Sequence, residues 1–245
     1  VPAGRIVAVL VLRGSTGGLF WSLGRREGSA DEAREALVIT RAVSEKLFAY
    51  AFRLAERRRA AGRGRGRVNC VDKANVFRAF AFFRKLFHEE AARHPDITAE
   101  AIYVDATALW MVQKPWDFDV LVTENMFGDI LSDLGAGLMG GLGVAPSADI
   151  GEHHAVFQPC HGSAPDIIGN GCANPMAMIL SAAMMLDWLG DQRGRPEVTK
   201  AGERLRQAVE RTVAKGEVLT PDLGGTADTE QVTAAVAAEL DSAAL

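Results

Sequence analysis

Residues 123 to 143 read TENMFGDILSDLGAGLMGGLG and set up the rest of the chain. Asp129 and Asp133 stand four residues apart in an apolar segment, and on a helix that spacing stacks both carboxylates on one face. The apolar neighbours Met126, Phe127, Ile130, Leu131 and Leu134 leave little of such a helix free to face water, so the pair is expected to be partly buried. From Pro115 to Gln192 there is no Lys or Arg, while Asp117, Asp119, Glu124, Asp129, Asp133, Asp149, Glu152, Asp166, Asp187 and Asp191 all carry acid. Groups outside this stretch must neutralise them. Two close, partly buried carboxylates share a proton or bind a cation, and an all-oxygen donor set suits Mg²⁺ or Mn²⁺. The competing reading is a solvated acidic helix face.

On either side of this stretch, strand-like and helix-like segments alternate. Arg5 to Leu12 is an aliphatic run of the kind covered on both faces of a sheet, and it leads into the turn Arg13-Gly14-Ser15-Thr16-Gly17-Gly18. A short strand is expected over Leu19 to Leu23, followed by an acidic loop from Glu27 to Glu35. Thr40 can then cap a helix with Leu47, Tyr50, Ala51 and Leu54 on one stripe. That helix ends in ERRRAAGRGRGR, a solvated helix end rather than a nucleic-acid patch, since no aromatic residues are interleaved for base stacking. VNCV, Val68 to Val71, is a strand leading to Asp72 and Lys73, and a helix with Val76, Phe80, Phe83 and Phe87 on a core stripe follows. Ile102 to Asp105, Asp119 to Thr123 and Ala155 to Gln158 are further strands. Helices are expected from Pro175 to Trp188, Pro196 to Ala214 and Thr226 to Leu240. The alternation argues for α/β architecture with parallel pairing, in which ligands collect at the carboxyl ends of strands. The Gly-, Pro- and Ser-containing stretch after Gly140 is the natural domain junction, giving domains over 1–139 and 140–245.

Composition narrows the function classes. The 245 residues are 48% hydrophobic and 24% charged, with a net charge of −4, which offers no broad basic field for nucleic acid or anionic membrane. Cys70, Cys160 and Cys172 form neither a zinc-like pattern nor an even disulfide framework, so a reducing cytoplasm is the expected location. No signal peptide or apolar run of membrane length is evident. The chain opens without Met on a strand-like run, as though its beginning were missing.

Three strand-end residues join the acidic pair as candidates. Arg13 can clamp a carboxylate, Lys73 can serve as a base or electrostatic partner, and Asp105 can complete a carboxylate cluster. Each has a plainer alternative: Lys73 can pair with Asp72, Asp105 can cap a helix beginning near Ala106, and Arg13 can pair with some other acid. The run from His161 to Asp166, followed by Gly169, Gly171 and Asn174, allows close backbone approach to a nucleotide, though it is no GxGxxG fingerprint and a plain Gly-rich turn explains it equally.

VDKANV, TENMFGDILSDLGAGLMGGLGVAPSADIG and HGSAPDIIGNGCANPMAMILSAAMMLDWLG closely resemble the β-decarboxylating dehydrogenases acting on 3-isopropylmalate, isocitrate, homoisocitrate, tartrate and D-malate. The resemblance implies a two-domain, isopropylmalate-dehydrogenase-like α/β sandwich of a mostly parallel sheet with flanking helices. It covers essentially the whole chain, although members carry about another third of sequence ahead of the part matched here. It places Asp129 and Asp133 on a divalent metal, Mg²⁺ or Mn²⁺, with Asp105 contributed across a homodimer interface. Lys73 likewise comes from the partner subunit, and the helix from Asn125 to Leu138 lies at that interface. Arg13 and Lys73 are implied to hold substrate. His161, Gly162, Ser163, Ala164, Asp166 and Asn174 fall on the cofactor loop, and a carboxylate at Asp166 favours NAD over NADP by repelling a 2′-phosphate. The implied reaction oxidises a 2-hydroxy acid at C2, releases its β-carboxylate as CO₂ and protonates the resulting enol. The AGLMGGLGVAPSADIG stretch looks more like tartrate or D-malate members than 3-isopropylmalate enzymes.

Three positions depart from the family pattern. Phe20 stands where members usually carry a Tyr that helps protonate the enol, Gly14 stands where Glu usually follows the arginine, and Gln158 stands where an acid is common. Phe20 and Gly14 motivate an alternative, a non-catalytic or regulatory subunit of the same family, against which the retained Lys73, Asp105, Asp129 and Asp133 speak. A further alternative is a fragment that dimerises without binding NAD.

Overall fold

The computed structural model describes residues 8–25 and 27–242, and contacts divide the chain into two compact units, residues 1–135 and 136–245. In the first unit, β1 (Leu10–Arg13) leads into a 3-10 turn over Leu19–Ser22, then a two-residue ribbon of β2 (Glu27–Gly28) and β3 (Ala33–Arg34). Residues 19 to 23 are therefore not a strand. Gly18, with φ at 71°, turns the chain before Leu19, and Gly18 bridges to Val38 instead. The start of the expected first strand, residues 1–7, lies outside the described residues.

Helix α1 (Arg41–Ala60) begins where Thr40 accepts the Val43 N–H at its Oγ1. Its buried stripe is Ser44, Phe48, Ala51, Phe52 and Ala55; of the expected stripe Ala51 is buried and Leu47 packs against the core, while the large aromatic side chains take the position facing the sheet. β4 (Arg67–Asp72), α2 (Arg78–Ala91), β5 (Thr98–Tyr103), α3 (Val104–Gln113), β6 (Val120–Thr123) and α4 (Asn125–Met139) follow in alternation, and α4 runs across the division between the units. β1, β4, β5 and β6 form one parallel sheet in the order β1-β6-β4-β5. Phe48, Phe52, Phe83 and Phe87 of α1 and α2 pack with Val68, Cys70, Val120 and Val122 on one face, with ring centroids 4.6 Å apart for Phe48–Phe83 and 5.5 Å for Phe52–Phe87. Val71 and Leu121, equally buried, point to the other face. Phe80, Phe83 and Phe87 are core as their spacing predicts, whereas Val76 precedes α2 and is exposed.

In the second unit, β7 (Pro146–Ile150) and β8 (Ala155–Pro159) pair antiparallel, so parallel pairing does not extend along the whole chain. The four residues between them suffice for a hairpin but not for a helical crossover. Three helices complete the unit: α5 (Met176–Arg193), α6 (Pro196–Lys215) and α7 (Thr229–Ser242). Pro196 at the first turn starts α6, and left-handed Gly194 and Gly216 terminate α5 and α6; the limits of α6 are close to those expected, whereas α5 runs on past the expected end at Trp188 to Arg193, where Gly194 stops it. Met176, Ala208, Val209, Val232 and Val236 form the core, and Ser181 Oγ donates to Gln158 O at 2.8 Å, tying α5 to β8. All three cysteines are free. Among the described residues no helix is long and apolar enough to cross a membrane.

Candidate functional site

Parallel pairing brings the carboxyl ends of four strands to one edge. Arg13 is in register with Thr123, Thr123 with Val71, and Asp72 with Tyr103. Arg13, Lys73, Asp105 and the start of α4 consequently stand on the same edge, where side chains are free of the ladder and accessible to a ligand.

Two ion pairs occupy this edge. The Arg13 guanidinium meets the Asp129 carboxylate, and Lys73 Nζ donates to Asp105 Oδ1 at 2.7 Å. Asp72 is not the partner of Lys73: it is fully buried and takes a two-pronged contact from Arg84, with Nη2 to Oδ1 at 2.7 Å and Nε to Oδ2 at 2.8 Å. Asp105 sits in the first turn of α3. The Lys73 ammonium, with the backbone N–H groups of Asp105 and Ala106, holds its carboxyl below the usual carboxylate range. Pairing with Lys73 and favourable placement at a helix N-terminus therefore coexist.

Within the described chain the acidic pair of α4 is not partly buried. Asp129, Ile130, Asp133 and Gly137 form an exposed stripe, with Ile130 61% accessible, because α4 turns Leu131 and Ala136 inward and leaves its other face uncovered. Asp129 is neutralised by Arg13, whereas Asp133 has no hydrogen-bond or ion-pair partner among the described residues. Two exposed oxygen ligands one helical turn apart, one of them unpaired, fit a hard divalent cation that takes its remaining ligands elsewhere. Asp105 does not join them within the chain: α4 follows β6 and Asp105 follows β5, and β4 lies between those two strands, which sets them on the order of 10 Å apart at the usual strand spacing. Among the described residues no three His, Cys, Asp or Glu side chains gather as a metal centre.

Three other acids of the base-free stretch find bases outside it. Asp119 accepts from Arg58 Nε at 2.8 Å and from the N–H groups of Arg65 and Gly66 at 2.8 and 3.0 Å, Asp117 faces Arg65, and Asp187 pairs with Arg206. Much of the arginine run ending α1 is thereby absorbed into the architecture. Glu124, which the sequence reading counts only as one more acid, is buried and accepts the N–H groups of Met126 and Phe127 at 3.1 and 2.8 Å, capping α4. An acid immediately before the first helical turn was the available signal.

In the second unit, residues 161 to 170 are all exposed. His161 Nδ1 lies 2.8 Å from Gly162 O, and Ala164 adopts a left-handed conformation, φ 43°, the only described non-glycine to do so. Such a position is costly for a residue with a Cβ and is typically retained where a loop presents itself to a ligand. Asp166 follows in the first turn of the 3-10 segment Pro165–Ile167, with Gly162 and Ser163 on the approach. Asn174 does not offer its side chain freely: its Oδ1 accepts from Met176 N–H at 2.9 Å and its Nδ2 donates to Asp222 at 3.1 Å.

The chain belongs to the isocitrate/isopropylmalate dehydrogenase family, whose model matches residues 2–236. It is 43% identical over 231 residues to a 3-isopropylmalate/3-methylmalate dehydrogenase of Methanocaldococcus jannaschii, covering 93% of this chain and 66% of that one. It is 45% identical over 244 residues to an isocitrate/homoisocitrate dehydrogenase of Thermus thermophilus, covering 99% and 69%. The crystal structure of isocitrate dehydrogenase from Methylococcus capsulatus superposes with a TM-score of 0.81 at 40% identity, over 91% of this chain and 64% of that one. The chain thus spans about two thirds of the length of these relatives.

Proposed function

We propose that the protein is an NAD-dependent, divalent-metal-requiring oxidative decarboxylase of a 2-hydroxy acid bearing a second carboxylate, working as a homodimer with shared sites. Residues 1–139 serve dimerisation, metal and substrate, and residues 140–245 serve the cofactor. The observation that carries this reading is the pair of base–acid contacts, Arg13–Asp129 and Lys73–Asp105, at the carboxyl edge of one parallel sheet.

Asp129 and Asp133 hold Mg²⁺ or Mn²⁺ with Asp105 of a second copy, and the ion supplies Lewis-acid polarisation of the substrate oxygens. NAD, held by His161, Gly162, Ser163, Ala164, Asp166 and Asn174, supplies the hydride acceptor. Arg13, now on Asp129, would be free to hold one of the substrate's carboxylates were Asp129 engaged by the ion. Lys73 of the second copy would take the C2 hydroxyl proton as its neutral amine, and Asp105, which accepts from Nζ, sets the direction of that group. Phe20, 43% exposed, has no proton to give, so carbon protonation of the enol falls to water or another group.

Candidate 2-hydroxy acids assayed with Mn²⁺ test the reading, with NADH formation and CO₂ release as readouts. The expected result is coupled release of both, stronger with NAD than NADP. Equal catalytic efficiency with the two cofactors sinks the role of Asp166, and failure to oxidise isopropylmalate-, isocitrate-, tartrate- and malate-type acids alike sinks the function.

A further inference from the structure

The turn after β1 and the start of α4 are fitted to each other through a group outside the reacting machinery. Glu124 is 2% exposed, and its two carboxylate oxygens accept from the first turn of α4. Its Oε2 occupies the space a Cβ at residue 18 would fill, and Gly18 is held at φ 71° by bonds in both directions with Val38, N–H to O at 2.9 and 3.1 Å. The adjacent Asn125, 8% exposed, donates from Nδ2 to Ser15 O at 3.0 Å, and Gly14 N–H reaches Thr123 O at 3.4 Å. One turn later Gly128 leaves room for the Arg13 side chain, which a Cβ there would strike. Beside the turn lies a pocket of about 20 Å³, room for about one water, lined by Gly14, Gly17, Gly18 and Glu124 together with α1 side chains.

We propose that Glu124 is a positioning residue, locking the Gly14–Gly18 turn and the first turn of α4 in one arrangement so that Arg13 and Asp129 are presented together. This role rests on the proposed metal and substrate site. Outer groups that orient a ligand typically cost on the order of 10- to 100-fold in metal affinity or activity when removed.

The test is Mn²⁺ affinity by calorimetry, with substrate KM and kcat, on protein shown by urea unfolding to be folded. Glu124→Ala should weaken Mn²⁺ binding on the order of 10-fold and raise substrate KM. Glu124→Gln, which keeps one acceptor oxygen, should recover most of that loss. Gly18→Ala should resemble Glu124→Ala, and the double variant should lose less than the product of the two single losses, because the new methyl group enters the vacated space. If folded Glu124→Ala binds Mn²⁺ and substrate as tightly as the wild type, the positioning role is overturned while the proposed function stands. If the wild type itself binds no Mn²⁺, the proposed site fails and the positioning role falls with it, whatever coupling the unfolding midpoints record.

Discussion

Asp72 and Asp119 differ in kind from Asp105, Asp129 and Asp133, although all are aspartates of the first unit. The first two are buried, at 0% and 1% exposure, and saturated: Asp72 by Arg84 and the Ala74 N–H, Asp119 by Arg58 and the backbone of residues 65 to 67. The other three are exposed, with one strong base contact each for Asp105 and Asp129 and none among the described residues for Asp133. A carboxylate that has lost its water must have every lone pair answered by the protein, whereas one still in water is free to exchange its partner for a ligand. The saturated pair holds the sheet together, and the three exposed acids are the ones available for chemistry.

Breaking a saturated acid is the harshest test of this division. Asp119→Ala leaves Arg58 and three backbone N–H groups without their acceptor, and should destabilise the protein by about 3–5 kcal/mol in urea unfolding. Asp129→Asn should instead leave the unfolding midpoint nearly unchanged, since an exposed pair contributes little. Its Mn²⁺ affinity should fall by more than the roughly 10- to 100-fold that losing an outer-shell partner costs. Unaltered Mn²⁺ binding would remove Asp129 from the exchangeable group.

Complementation sharpens the same comparison. Asp105→Asn should weaken Mn²⁺ binding as Asp129→Asn does, and mixing the two variants should restore a fraction of sites that combine an intact Asp105 with an intact Asp129. No recovery on mixing argues that each site is built within one chain. Phe20→Tyr should leave Mn²⁺ affinity and substrate KM unchanged. It should speed turnover wherever enol protonation limits the rate, by up to the factor of about 10² to 10⁴ a general acid supplies. If turnover does not improve, another group carries that proton.

The smallest effect belongs to an ordinary surface acid. Glu89 is held below the usual carboxylate range first by its hydrogen bond from Arg41. Its folded pKa is depressed, so its stabilisation is present above the unfolded value of about 4.3 and is lost as pH falls through the lower folded value. Glu89→Gln should flatten the acid limb of stability against pH slightly, without touching Mn²⁺ binding. A change in metal affinity would mean that surface and site acids are not separable.

Much of this was legible in the sequence because it is local. The i, i+4 spacing put Asp129 and Asp133 on one face, Thr40 and Pro196 marked helix starts, and the aromatic spacing Phe80, Phe83, Phe87 marked a core stripe. The order of strands and helices predicted a parallel α/β sheet, and the family resemblance added the candidate site. Leu19–Ser22 was misread because a short apolar run has no period to separate a strand from a 3-10 turn, and a positive φ at Gly18 decided it.

The sequence by itself therefore determined most of the elements, their order and the residues proposed to hold a cation and a dinucleotide. Tertiary structure decided the partners: Lys73 with Asp105 rather than Asp72, Arg13 with Asp129, and Glu124 turned inward as a cap rather than outward as a charge. The reason is range. Helical periodicity and capping act over a few residues, but which of several acids meets a given base depends on strands brought into register from positions as far apart as Arg13 and Thr123, and on which carboxylates the packed core removes from water.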